Sequence, residues 1–236
     1  MKILQLVLLL VFFAGCGGQN QNSELPGSPN DPIIDTGGQP WKKHRNTRTH
    51  PRYTRFCKID ASGAFSSDSI SVEKKGDRFE GVGGGCIPHP IRTVWEETFN
   101  HQNLKSSQLD ELEVTARPDL VDRKKKMYFV FDLKRIVNPV VFVTIAWTMR
   151  TTHTVNVGNY KVPKQISVNM RKLETDGQVK VNIEGYVIEE VNPEMTSFTV
   201  LQTVEAPRVS EATITKSIQE VIDKVRKGSP DRPRFP

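Results

Sequence analysis

The sequence predicts an α+β domain, with a large antiparallel sheet, a long C-terminal helix and a short helical stretch after the first extended segment. Three observations carry this. Six strand-like runs follow one another between Leu109 and Ala206. Breaker sequences separate several of them, so neighbours pair as a meander. Then Ile214, Ile218, Val221, Ile222 and Val225 recur at helical spacing as one apolar stripe.

The chain opens with Lys2 and the apolar run Ile3–Phe13, interrupted only by Gln5, followed by Ala14, Gly15 and Cys16. A basic start, an apolar core of about 7–15 residues and small residues behind it mark a secretory signal peptide. The run is shorter than the roughly 20 residues of a membrane-spanning helix. Phe13-Ala14-Gly15-Cys16 resembles the bacterial lipobox, with Phe13 where leucine is usual. The resemblance implies removal of residues 1–15 and lipidation of Cys16. The mature chain would then be held at a membrane by acyl chains, each buried methylene contributing roughly 0.8 kcal/mol. Gly17, where aspartate would signal retention, implies the outer membrane and a domain facing the periplasm. An ordinary secreted protein with a cysteine at this position is the alternative.

Residues 16–40 are rich in Gly, Asn, Gln, Ser, Asp and Pro and read as a flexible tether. Residues 41–60 form a basic arm. Between Trp41 and Lys58 stand Lys42, Lys43, Arg45, Arg48, Arg52, Arg55 and Lys58, with no acid. The chain's formal charge is +6; without Lys2 it is +5, and the tract from Trp41 to Lys58 alone supplies +7, so the rest of the mature chain sums to −2. The basic character is local. Beside an anchor it suits anionic lipid head groups, or it is simply a solvated segment; an envelope location argues against nucleic acid.

The globular part is read as residues 61–228. Ile70, Val72, Phe79 and Val82 suggest extended structure turning at Lys75-Gly76-Asp77. Gly81, Gly83, Gly84 and Gly85 do not make a dinucleotide fingerprint, because the third glycine position falls on Cys86 and a Pro-His-Pro stretch follows. They read as a tight bend. Pro90 opens a helix with Ile91, Val94, Trp95, Thr98 and Phe99 on one face, and Asn100 to Ser107 holds a short second one. The six strands are Leu109 to Arg117, Lys124 to Lys134, Val140 to Arg150, Gln165 to Glu174, Lys180 to Glu190 and Ser197 to Ala206. Turns are expected at Asn138-Pro139, Thr175-Asp176-Gly177 and Asn192-Pro193-Glu194. Ser210 caps the last helix and Gly228 stops it. Residues 229–236 read as a disordered tail.

Of three cysteines, Cys57 and Cys86 remain once Cys16 is lipidated. An oxidising compartment permits a disulfide between them. Two buried thiols are the alternative, and sequence spacing does not decide. Neither has a second cysteine or a histidine at metal-ligand spacing.

This order of elements, from Ile70 to Lys227, resembles the helix-grip fold of the START and birch-pollen-allergen superfamily. The phrase Ile87-Pro88-His89-Pro90-Ile91-Arg92-Thr93-Val94-Trp95 resembles the start of that superfamily's first helix, and Thr213 to Val225 its closing helix. Val155 to Val162 is an extra-looking turn that the pattern does not place. The resemblance implies a seven-stranded bent antiparallel sheet wrapped around the C-terminal helix, enclosing an apolar cavity. Its lining would come from Met127, Phe129, Phe131, Leu133, Val141, Val143, Ile145, Trp147, Met149, Ile214, Ile218 and Ile222, which otherwise simply pack a solid core.

Superfamily members include lipid carriers, cyclases, hormone receptors and cochaperones. Here His153 follows the apolar strand near a mouth, Asp132 and Glu184 sit in strands with Asp132 outward, and His89 and His101 flank the first helix. Nothing pairs a nucleophile with a base, and no metal, cofactor or phosphate motif is present. The expectation is therefore a lipid-anchored periplasmic domain that binds a hydrophobic ligand, lipid or fatty-acid-like, without enzymatic activity or cofactor. The alternatives are a cyclase-like acid–base enzyme on the same fold, or a structural or interaction lipoprotein with no ligand.

Overall fold

The computed structural model describes residues 56–58, 60–107, 109–140, 143–175, 179–206, 209–231 and 233. The signal peptide with Cys16, the tether, most of the basic arm and Val141 lie outside them. The described residues form an eight-stranded antiparallel sheet: β1 Ser69–Lys75, β2 Arg78–Ile87, β3 Glu111–Ala116, β4 Met127–Val140, β5 Val143–Gly158, β6 Pro163–Thr175, β7 Val181–Asn192 and β8 Met195–Glu205. The helices are α1 Ile91–Glu97, α2 His101–Leu104 and α3 Glu211–Lys227. Strand order is β1-β2-β8-β7-β6-β5-β4-β3. Apart from the pairing of β2 with β8, every neighbour in the sheet is a neighbour in sequence. The sheet exceeds the expected seven strands because Gly76, at φ +62°, turns the first extended stretch back on itself.

The expected glycine bend is instead a strand. Gly81, Gly83, Gly84 and Gly85 pair in unbroken register with Gln202, Val200, Thr199 and Phe198. Their purpose is space. A Cβ on Gly81 would stand 2.6 Å from Ile214 Cγ2 and 2.8 Å from Ile218 Cδ1. One on Gly83 would stand 2.7 Å from Ile218 Cγ2. Helix α3 therefore sits closer to β2 than a side chain would allow.

Helix α3 begins at Ser210, whose side chain accepts from the backbone N–H of Thr213, and ends at Gly228 with φ +68°. Both ends follow the expected capping chemistry. Its stripe of Ile214, Ile218, Val221, Ile222 and Val225 is buried against one face of the sheet. Several contacts hold it there. Arg226 pairs with Asp68, Glu220 accepts from the Ser107 hydroxyl at 2.7 Å, and Lys224 Nζ donates to the Lys105 carbonyl at 2.6 Å. Just beyond the helix, the backbone N–H of Ser229 donates to Glu97 at 2.8 Å.

Two boundaries differ from expectation. Asn138-Pro139 does not end β4, which continues to Val140 through a register irregularity between Val137 and Val140. Proline lacks the donor of a regular ladder, and such an irregularity accommodates it. Of the stretch from Val155 to Val162, residues 155–158 are the end of β5, paired with β6 through two further irregularities. Residues 159–162 are the turn into β6, where Asn159 Oδ1 accepts from the backbone N–H groups of Lys161 and Val162 at 2.9 Å. Cys57 and Cys86 are joined in a disulfide, buried with Met195 and beside Val191. It ties the segment before β1 to the end of β2.

The glycine seat is testable. Gly81→Val places a branched side chain where Ile214 and Ile218 already stand, and helical isoleucine has little rotamer freedom to yield. It is expected to cost about 1–3 kcal/mol, read as a lower midpoint in urea unfolding. An unchanged midpoint would mean that α3 can lift without penalty.

Candidate functional site

Residues opposite one another in an antiparallel ladder share a face. One row therefore crosses the sheet as Phe129, His153, Val168, Tyr186, Val200, Gly83 and Ile70. The next runs Phe131, Thr151, Met170, Glu184, Gln202, Gly81 and Val72. Because Gly81 and Gly83 meet α3, this is the face that the helices cover. Further along it, Leu133 opposes Met149, Arg135 opposes Trp147 and Val137 opposes Ile145.

Most of the expected lining residues lie on this face. Phe129, Phe131, Leu133, Ile145, Trp147 and Met149 belong to the main core with Ile214, Ile218 and Ile222. Val143 does not belong to it: it sits beside the β4–β5 connection and is 43% exposed. Met127 is half-buried opposite Thr154, across an irregularity in the ladder. Asp132 points to the other face, as alternation requires, where it accepts from Arg150 at 2.8 Å and Arg117 at 2.7 Å. His89 is away from the site, its Nε2 3.3 Å from the Arg226 carbonyl.

His153 is not at a strand mouth. It lies within β5 and is fully buried. Trp95, from α1, donates its indole N–H to His153 Nδ1 at 3.2 Å. Phe99 stacks on the ring at 4.2 Å between centroids and 27°. Phe129 and Phe131 meet it edge-on. His101, from α2, stands 5.1 Å from Phe131 and 6.5 Å from His153. Burial, then the charge of Arg135, lowers the His101 pKa to about 4. Burial, then His101, holds that of His153 well below the usual range. Both rings are neutral at pH 7.

The face also carries an ion pair. Arg135 donates from Nη1 to Glu184 Oε1 at 2.6 Å and from Nη2 to Oε2 at 2.8 Å. To do so it reaches from β4 to β7, over the two strands between, passing Met170 Sδ at 3.9 Å. The two side chains are 13% and 12% exposed. Gln202 also donates to Glu184, at 3.3 Å. Burial favours a neutral Glu184, but the charge and hydrogen bonds of Arg135 outweigh it and keep the carboxylate ionised. Burial, then Glu184, raises the pKa of neighbouring Tyr186.

Several buried polar atoms on this face have no hydrogen-bond partner among the described residues: His153 Nε2, His101 Nε2, Thr151 Oγ1, Trp147 Nε1, Arg135 Nε and Gln202 Oε1. Among the described residues no group of three or more His, Cys, Asp or Glu is placed to hold a metal ion.

The sequence reading missed Arg135, Thr151 and Gln202. Arg135 had a signal: it continues the alternation Phe129, Phe131, Leu133, one step beyond the expected end of β4, and so puts a charge on the apolar face. Thr151 and Gln202 had none, being ordinary strand residues.

Two outcomes follow from this chemistry. Unfolded histidines protonate near pH 6.5, but His101 in the fold only near pH 4. The unfolded state therefore binds more protons between these values. Stability is full above about pH 6.5, falls as pH drops toward 4 and levels below it, by roughly 3 kcal/mol from His101 alone. Urea midpoints between pH 7.5 and 5, where carboxylates stay ionised, read this; a flat profile, or one unchanged in His101→Phe, contradicts it. Separately, Arg135→Met or Glu184→Leu strands a buried charge and costs about 3–5 kcal/mol. The double variant recovers most of the loss in a double-mutant cycle, and simple additivity would show the pair to be uncoupled.

The chain matches no protein-family model and no curated relative. Among solved structures it is similar to the human StarD13 lipid transfer and protein localization domain, with a TM-score of 0.50 at 12% identity over 70% of this chain and 86% of that one. It is also similar to a STAR-related lipid transfer protein from Xanthomonas axonopodis, with a TM-score of 0.49 at 11% identity over 72% and 96%. A third is the Zhui aromatase/cyclase from Streptomyces sp. R1128, with a TM-score of 0.45 at 12% identity over 64% and 92%. At such identities the likeness is one of architecture: this chain has the helix-grip fold of START lipid-transfer domains.

Proposed function

We propose that this chain is a lipid-anchored protein of the bacterial envelope whose domain binds a hydrophobic ligand between the sheet and its covering helices, as a carrier or sensor. The observation that carries the reading is the set of unpartnered polar atoms on the face that the helices cover. A core that only packs leaves each such atom at a cost of about 1–3 kcal/mol. A bound amphiphile offers them partners and buries its chain against Phe129, Phe131, Trp147, Met149, Ile214, Ile218 and Ile222. The fold likeness to a lipid transfer domain supports the same reading.

Acid–base catalysis finds less support. His153 meets an indole, not a carboxylate, and Glu184 is held ionised by Arg135.

The sequence supplies the rest. Cys16 is the proposed anchor, with the domain facing the periplasm from the outer membrane, and the arm at 41–60 rests on anionic head groups. Each basic residue near such a surface contributes about 1 kcal/mol. A tethered binder also works at high local concentration.

Residues 51–236, purified without lipid from a bacterial host, are expected to carry a reproducible amphiphile mass in native mass spectrometry, lost on denaturation. A clean apo mass that also ignores a panel of added lipids would overturn the binding reading. Metabolic labelling with a radioactive fatty acid is expected to mark the full chain and not its Cys16→Ser variant. A full chain that takes up no label would rule out a lipid anchor on that residue.

A further inference from the structure

We propose that this interior selects a ligand with an uncharged polar head, whose ester, ketone or alcohol oxygen accepts a hydrogen bond from His153 Nε2–H, and that it discriminates against carboxylates. This rests on the binding reading above and names the class of molecule the site takes.

The first argument is the tautomer of His153. An indole N–H donates and has no lone pair with which to accept. Trp95 Nε1 is 3.2 Å from His153 Nδ1, so Nδ1 is the acceptor and carries no hydrogen. The proton of the neutral ring is then on Nε2. That N–H is buried and has no partner among the described residues. Phe99 on the ring's face, with Phe129 and Phe131 edge-on, fixes its direction.

The second argument is what surrounds it. Thr151 is the next inward residue along β5, fully buried, with its hydroxyl unpartnered. Its ladder partner is Phe131. His101 lies against the same phenyl ring, with its own Nε2 buried and unpartnered. Three polar atoms without partners thus gather around Phe131, on rings and a hydroxyl that carry no charge.

The third argument is charge. Arg135 is close enough to influence His101, but both its terminal nitrogens are engaged by Glu184. The pair is neutral in sum. A carboxylate entering beside Phe129, Phe131 and Trp95 would bring a net charge into an apolar setting and meet only neutral donors at His153 and Thr151. Its desolvation outweighs what neutral hydrogen bonds return. An uncharged carbonyl or hydroxyl gives up far less hydration and satisfies the same donors.

The test uses the full chain in a bile-salt detergent at pH 8, where a carboxylic acid is ionised. Methyl dodecanoate, 1-dodecanol and sodium dodecanoate are the labelled probes, followed by equilibrium dialysis. Ester and alcohol are expected to bind at least about tenfold more tightly than the carboxylate. His153→Phe and Thr151→Val are each expected to weaken the ester by about fivefold or more. Thr151→Val is nearly isosteric and keeps the test open if His153→Phe does not fold. Equal or tighter binding of dodecanoate overturns the inference and leaves the binding reading in place. Binding of none of the probes, together with an apo mass after exposure to envelope lipid extract, overturns both.

Discussion

The close seat of α3 on β2 is the contact on which the rest of this structure depends. Gly81 and Gly83 remove the side chains that would otherwise hold the helix off, and Ile214 and Ile218 fill the space. The pairing of β2 with β8 makes that seat a link between the first hairpin and the last. The chain must therefore be nearly complete before the contact forms. Pairings of such long sequence separation close late and slowly compared with local hairpins. The disulfide between Cys57 and Cys86 reinforces the same strand from its far end.

The seat also divides the covered face of the sheet. Where α3 lies over glycine, the packing is aliphatic and close. Toward β4 and β5 the cover is Trp95 of α1, Phe99, and His101 of α2, and the packing becomes aromatic and polar. Between the two lies the Arg135–Glu184 pair, its partners drawn from strands that are not adjacent. A buried ion pair adds little net stability over an apolar replacement. Its presence, beside two neutral histidines and several polar atoms without partners, suits a surface that meets another molecule better than one that only closes a core.

Much of the domain was legible from local chemistry. The caps of α3, the apolar stripe it buries, the turn at Gly76 and the alternation that sets Phe129, Phe131 and Leu133 inward and Asp132 outward all follow from residue type and period. Residue type did not choose the face of Ile145, Trp147 and Met149, because both faces of that segment are apolar; ladder register chose it. Gly81 to Gly85 misled because conformational freedom is the usual use of glycine. Here the absence of a side chain was the use, and for Gly81 and Gly83 only a helix 130 or more positions later reveals it.

What the sequence by itself determined is the order of the elements and the type of all but the glycine strand β2, since periodicity, capping and turn chemistry act between near neighbours. It also placed the lipobox-like motif and the basic arm, which are linear features. What only the tertiary structure decided is which polar residues meet. Trp95 and His153, or Arg135 and Glu184, are separated by long stretches of chain, and nothing in either local context names the other. Ladder register brings them together, and register is a property of the assembled sheet.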